Sequence, residues 1–222
     1  MKALMSRKED TESLQDLGRA SIQIVHDLKN QLNGLKLYAT FLRRRIEKSD
    51  RPGDEQETIG KLISGLDRAA QDLSMIVELG REIELKTQPG FELAKVLRNL
   101  CSSFPEGETQ VVCDSDADSV QGEFDHSKLT EALKSMFAAA VKFRSKDDGA
   151  RTVSVSLKAS DNNAVIEWSG LRPLHHDPFR TFAGSDEIRL SMAKKIIEAH
   201  GGSTTLADHK LVVVLPLSDL TR

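Results

Sequence analysis

The sequence predicts an α+β chain in which a long helical hairpin precedes a mixed domain of short strands and helices. Three observations lead there. Two heptad seams flank a single short breaker cluster, Ser49-Asp50-Arg51-Pro52-Gly53. The periodicity then changes around Thr87-Gln88-Pro89-Gly90. Beyond that point, runs of alternating apolar residues intersperse with amphipathic helical patterns, the mark of helices packed on a sheet.

The first seam runs through Val25, Leu28, Leu32, Leu35, Ala39, Leu42 and Ile46 in steps of three and four. The second runs through Ile59, Leu62, Leu66, Ala69, Leu73, Ile76, Gly80 and Ile83. Such seams belong to helices packed side by side at a shallow angle. Ile63, Ala70 and Val77 widen the second stripe beyond what one partner helix covers. The short breaker implies an antiparallel hairpin. One hairpin cannot bury two wide stripes, so a homodimeric four-helix bundle is expected. Packing of the hairpin on its own C-terminal domain is the alternative. The division is placed at residues 1–88 and 89–222.

In the second half, Phe91 to Phe104 reads as a short amphipathic helix and Thr109 to Cys113 as a β-rich run. His126 to Phe143 is a strong helix, with Asp125 as its N-cap. Arg151 to Leu157 and Ala164 to Trp168 read as hairpin strands joined across Asp161-Asn162-Asn163. A loop from Leu171 to Gly184 leads to a helix, Asp186 to His200, stopped by Gly201-Gly202. Ser203 to Leu206 and Leu211 to Leu215 close the chain as strands. The expected domain is a sandwich with helices on one face of the sheet.

Composition excludes several classes. A net charge of −3, from 31 basic and 34 acidic residues, does not suit a general nucleic-acid binder. Aromatic residues are 5% of the chain, too few for base stacking as a strategy. No stretch approaches the apolar length of a membrane helix, and Met1 to Thr11 lacks a signal-peptide core. A cytoplasmic location without membrane contact is therefore expected. Cys101 and Cys113 lack metal-motif partners and read as plain core thiols.

The segment richest in chemistry is Ile24-Val25-His26-Asp27-Leu28-Lys29-Asn30-Gln31-Leu32. With Val25, Leu28 and Leu32 in the seam, His26, Asp27 and Asn30 fall outward. His26 and Asn30 are neighbours one turn apart. An imidazole is a nucleophile near neutral pH. Asp27 would hold its tautomer or take its proton. Asn30 would orient a water or a phosphoryl oxygen, and Lys29 would offset phosphoryl charge.

His26-Asp27-Leu28-Lys29-Asn30 resembles the phosphoacceptor box of bacterial sensor histidine kinases: His, an acidic residue, two variable positions, then Asn or Thr. In that family the box lies on the first helix of a dimerisation and phosphotransfer hairpin. The resemblance spans nearly the whole chain, since the C-terminal half is similar to the family's ATP-binding domain. Gln31 departs from the proline that often follows the Asn, so the kink a proline causes is not expected.

Three features by which that family holds Mg-ATP are altered here. On the helix that carries its asparagines, Ser135 and Ala139 stand at the two Asn positions, and Ala139 offers no oxygen to a hard cation. Its Asp-x-Gly-x-Gly turn corresponds to Ser169-Gly170-Leu171-Arg172-Pro173, which has no aspartate. Its phosphate-cradling glycines fall on Ser185, Glu187 and Arg189, whose side chains obstruct close backbone approach. The resemblance thus implies a degenerate kinase-type ATPase-like domain that binds no cofactor.

His175-His176-Asp177 is a poor metal site, because adjacent histidines point apart, and no metal is expected. His126 is placed in a first helical turn. His200 is placed at a helix end, where an imidazolium suits the dipole. Arg43-Arg44-Arg45 reads as a solvated face, with docking to an acidic receiver domain as a secondary role. The expected function is a histidine phosphotransferase. It would relay phosphoryl groups between response-regulator receiver domains through His26, with Mg²⁺ held by the receiver and without autophosphorylation from ATP. A response-regulator phosphatase using Asn30, a non-catalytic pseudokinase scaffold, and a kinase with an unusual nucleotide site are the alternatives.

Overall fold

The computed structural model describes residues 2–47, 53–103, 110–115, 120–145, 152–160, 162–174, 177–179 and 184–217. For residues 2–20, 22, 26, 53 and 110–115 the description is of backbone alone. Ser49 to Pro52 of the breaker cluster, with His175 and His176, lie outside the described residues, and Gly53 opens the second helix. Two compact units divide the chain, residues 1–82 and 83–222. No helix among the described residues is long and apolar enough to cross a membrane.

The first unit is two long helices, α1 (Lys2–Glu47) and α2 (Gly53–Leu79). They pack along each other, and Lys36 Nζ lies 2.5 Å from Asp67 Oδ1 across the contact. The seam of α1 divides in two. Val25, Leu32 and Ile46 are half-buried and Ala39 is buried, whereas Leu28, Leu35 and Leu42 are 44–54% exposed. Every seventh residue from Val25 thus faces the packed side, and every seventh from Leu28 faces outward. The helix α2 stops at Leu79, and Gly80 and Arg81 donate backbone N–H groups to Val77 and Glu78 in a closing turn. The second seam therefore ends short of Ile83, which packs on the core of the second unit.

The second unit is α+β. Its order is β1 (Gln88–Glu92), α3 (Leu93–Ser103), β2 (Gln110–Ser115), β3 (Gln121–Phe124), α4 (His126–Lys142), β4 (Thr152–Ser160), β5 (Asn163–Ser169), α5 (Ser185–Ala199), β6 (Ser203–Ala207) and β7 (Lys210–Pro216). Among the described residues the main sheet runs β2-β4-β5-β7-β6, antiparallel except for the β2–β4 pair. Alternation sets its inner face: Val153, Val155 and Leu157, then Ala164, Ile166 and Trp168, then Leu211, Val213 and Leu215 are buried. Helix α4 covers this layer with Leu129, Leu133, Met136 and Phe137, and α5 with Ile196 and Ile197. On the outer face, polar pairs such as Lys210–Glu167, 2.8 Å apart, meet solvent.

Phe91 lies in β1, not in the helix that its spacing suggests; α3 begins at Leu93. Gly90 has φ +83°, which interrupts helical geometry there. Phe91 then pairs with Gly122 of β3, and a Cβ at Gly122 would lie 2.2 Å from the Phe124 ring. That small second sheet places Phe91 and Phe124 edge to face, 5.8 Å apart.

Asp125 joins this corner to α4. As N-cap its Oδ1 accepts the Lys128 N–H at 3.0 Å, and its Oδ2 accepts the Lys86 N–H at 3.0 Å. The Asp125 N–H donates to His200 Nε2 at 3.0 Å, while His200 Nδ1 faces the Ile196 carbonyl at 2.8 Å. Both ring nitrogens of His200 are thus engaged with backbone groups of the fold. The bond to Lys128 N–H, then that to Lys86 N–H, holds the Asp125 carboxyl below its ordinary pKa against the opposing effect of burial. Asp125→Ala is expected to cost about 2 kcal/mol in chemical denaturation at neutral pH. A carboxyl with a depressed folded pKa stabilises above its unfolded pKa. The difference between wild type and variant should therefore shrink as pH falls below about 4.

Candidate functional site

The acidic-amide segment of α1 comes first. The helix is unbroken through it, with Gln31 where a proline would have bent the axis. Asp27 is exposed and accepts a hydrogen bond from Gln23 Nε2 at 3.0 Å, one turn earlier. Asn30 is exposed and Lys29 is half-buried. The backbone puts position 26 one turn before Asn30; the side chain of His26 lies outside the described residues. Exposed Leu37 and Phe41 continue the line of Asn30 at seven and eleven residues further on. Gln23 and these two apolar residues were missed in the sequence; the i−4 spacing of Gln23 from Asp27 was the available signal.

A second group of residues gathers between α4 and α5, around a cavity of about 310 Å³ lined by Ser135, Ala139 and Arg189 with Lys134, Lys142 and Asp186. Ala139 is buried, Ser135 half-buried and Arg189 exposed. Ser185 opens α5 and Glu187 lies in its first turn, both half-buried. Lys142 Nζ reaches Asp186 Oδ2 at 2.9 Å and Glu187 Oε1 at 3.3 Å. The Asp186 carboxylate, then Glu187, raises the Lys142 pKa against a lowering by burial. Two acidic side chains at the start of α5 also suit the positive end of its dipole. The sequence marks Glu187 as a side chain at a phosphate-cradling glycine position; its pairing with Lys142 joins residues 45 apart in sequence and has no local signal.

The turn after β5 is closed by the chain's own groups. Ser169 remains in the sheet, opposite Ser154, and does not line the cavity. Gly170 has φ +87°, and a Cβ there would lie 2.5 Å from the Thr152 carbonyl oxygen, so only glycine fits. Leu171 is buried in the core. Backbone bonds fix the segment: Ser145 N–H to Gly170 O, Leu171 N–H to His209 O, and Arg172 N–H to Phe143 O. Among the described residues, no group of three or more His, Cys, Asp or Glu is arranged to hold a metal ion.

No family model matches the chain. It is 23% identical over 214 residues to the sensor histidine kinase ZraS of Salmonella typhimurium, covering 90% of this chain and 44% of that protein. The chain thus spans less than half the length of this curated relative. Among solved structures, full-length ShkA in complex with AMPPNP matches with TM-score 0.68 at 17% identity, over 88% of this chain and 45% of that one. The histidine kinase ThkA, solved in complex with the response regulator TrrA, matches with TM-score 0.60 at 20% identity, over 95% and 65%. The Acinetobacter baumannii histidine kinase AdeS matches with TM-score 0.58 at 15% identity, over 86% and 97%. By fold, and by this distant sequence likeness, the chain is sensor histidine kinase-like.

Proposed function

We propose that this chain is a histidine phosphotransferase of a two-component pathway. A phosphoryl group would move from the aspartate of one receiver domain to His26, and from His26 to the aspartate of a second. In the first step the P–O bond of the aspartyl phosphate breaks as a P–N bond to the imidazole forms; the second step reverses this. Mg²⁺ is carried by the receiver, where it offsets phosphoryl charge. Asp27 orients the ring or takes its proton, Asn30 binds a phosphoryl oxygen, and Lys29 balances charge.

The observation that carries the reading is the α4–α5 cleft. Lys142 is bridged to Asp186 and Glu187, and Ala139 is buried where the resembling family has an asparagine that helps hold the metal. Such a cleft favours a phosphoryl source outside the chain. Exposed Leu37 and Phe41, in line with Asn30, give a receiver domain an apolar surface beside the phosphotransfer position. A homodimer is part of the proposal, because Leu28, Leu35 and Leu42 repeat every seven residues along an uncovered stripe.

A response-regulator phosphatase is the second reading, favoured by the exposure of Asn30, which would orient an attacking water. The test is a phosphotransfer screen against phosphorylated receiver domains, run with and without ATP. Label is expected on the chain from a receiver and none from ATP alone. Label from ATP alone would overturn the claim of an external phosphoryl source.

A further inference from the structure

A cavity of about 750 Å³ in the second unit lies away from the α4–α5 cleft. One side is an unbroken run of lining residues from Thr204 through Leu206 to Asp208. Side chains of a strand alternate between faces, so a cavity facing one side of a sheet meets every second residue. Lining by consecutive residues means that the cavity follows the edge of β6, the last strand of the sheet.

The β6–β7 turn fixes which backbone groups lie on that edge. Asp208 and His209 have φ +50° and +64°, the two positive values of a type I′ turn. The flanking pair Ala207–Lys210 is then hydrogen-bonded, and pairs alternate from there. Thr204 and Leu206 therefore direct their N–H and C=O groups away from β7. Thr204 is 9% exposed, and its Oγ1 is buried with no hydrogen-bond partner among the described residues. An unmade bond of this kind is costly.

The facing wall is partly apolar among the described residues. It contains Pro173 and Pro178, which lack N–H groups, and Phe179. It is also anchored: Phe179 N–H donates to Asp177 Oδ1 at 3.0 Å, and its carbonyl accepts from Ser191 Oγ at 2.8 Å. Lys194 Nζ lies 5.3 Å from the Phe179 ring centre. Among the described lining residues, two basic ones, Arg172 and Lys194, balance two acidic ones, Asp177 and Asp208. That balance suits a segment of zero net charge better than a polyanion.

We infer that this cleft binds an extended peptide segment of another protein, added as a strand to the edge of β6 that no described strand pairs. Backbone groups of Thr204 and Leu206 pair with the incoming strand, an apolar side chain lies against Phe179, and the Thr204 hydroxyl finds a partner. The inference does not depend on phosphotransfer through His26.

The probe is a panel of fluorescent decapeptides that alternate valine with threonine, lysine or glutamate at zero net charge. Each is paired with a version N-methylated at every second amide. Binding to the full chain is followed by anisotropy. Members of the panel are expected to bind, with affinity reduced at least about tenfold by N-methylation and by Leu206→Pro. Proline at an edge position with an outward N–H is compatible with the strand, and N-methylation leaves the protein unaltered. Absence of binding by every peptide overturns the inference, as does binding indifferent to N-methylation or to Leu206→Pro.

Discussion

His26→Ala is expected to abolish labelling of the chain by a phosphorylated receiver domain, while its helical circular dichroism stays at the wild-type level. The substitution removes the nucleophile and substitutes a better helix former, so the loss is chemical and not structural. Neighbouring substitutions should separate the roles. Asp27→Asn keeps the polar contact with Gln23 and lowers the transfer rate by about 10²-fold, the scale of a positioned proton acceptor. Asn30→Ala leaves labelling measurable. Under the phosphatase reading the order reverses: His26→Ala retains receiver dephosphorylation and Asn30→Ala loses it. Quenched time courses with a labelled receiver distinguish these patterns.

Leu35→Glu combined with Leu42→Glu is expected to convert the chain from dimer to monomer in sedimentation equilibrium. Both residues are more than half exposed on α1 and repeat with Leu28 every seven positions. Burying a leucine side chain stabilises by about 1.5–3 kcal/mol. In a two-fold interface each substitution counts twice, and buried carboxylates add a further cost. Loss of one symmetric leucine pair alone would weaken association by about 10²–10⁴-fold. Phe41→Glu is the contrasting variant. It lies on the line of Asn30 and not on the seven-residue stripe, so it should leave the dimer intact and weaken receiver docking. A wild-type chain that sediments as a monomer would remove the dimer from the proposal.

Local signals carried much of the fold. Asp125 before an apolar helical pattern announced its cap, and Asn162 at positive φ marks the β4–β5 hairpin read from Asp161-Asn162-Asn163. The alternation that ends on Trp168 foretold a strand with a buried face. Strand β3 escaped notice because Gln-Gly-Glu-Phe has no β-branched residue and pairs with β1 across a helix and a strand. Phe91 was misplaced for a related reason: its apolar spacing fits a helix, and only Gly90 and the distant Gly122 decide otherwise. For the candidate site, the acidic-amide segment was legible as a string. The bridge from Lys142 to Asp186 and Glu187 was not, since its partners meet only once α4 and α5 are packed. The edge cleft of β6 was equally hidden, because which strand ends the sheet depends on strand order.

The Lys142 bridge also determines which solution variables the α4–α5 junction feels. Stability drawn from a diffusible ligand varies with that ligand's concentration, whereas counter-ions carried on the chain are present at fixed stoichiometry. Lys142 and Asp186 are each about half exposed, so mobile ions reach and screen the pair. Ionic strength therefore acts directly on this junction through the bridge.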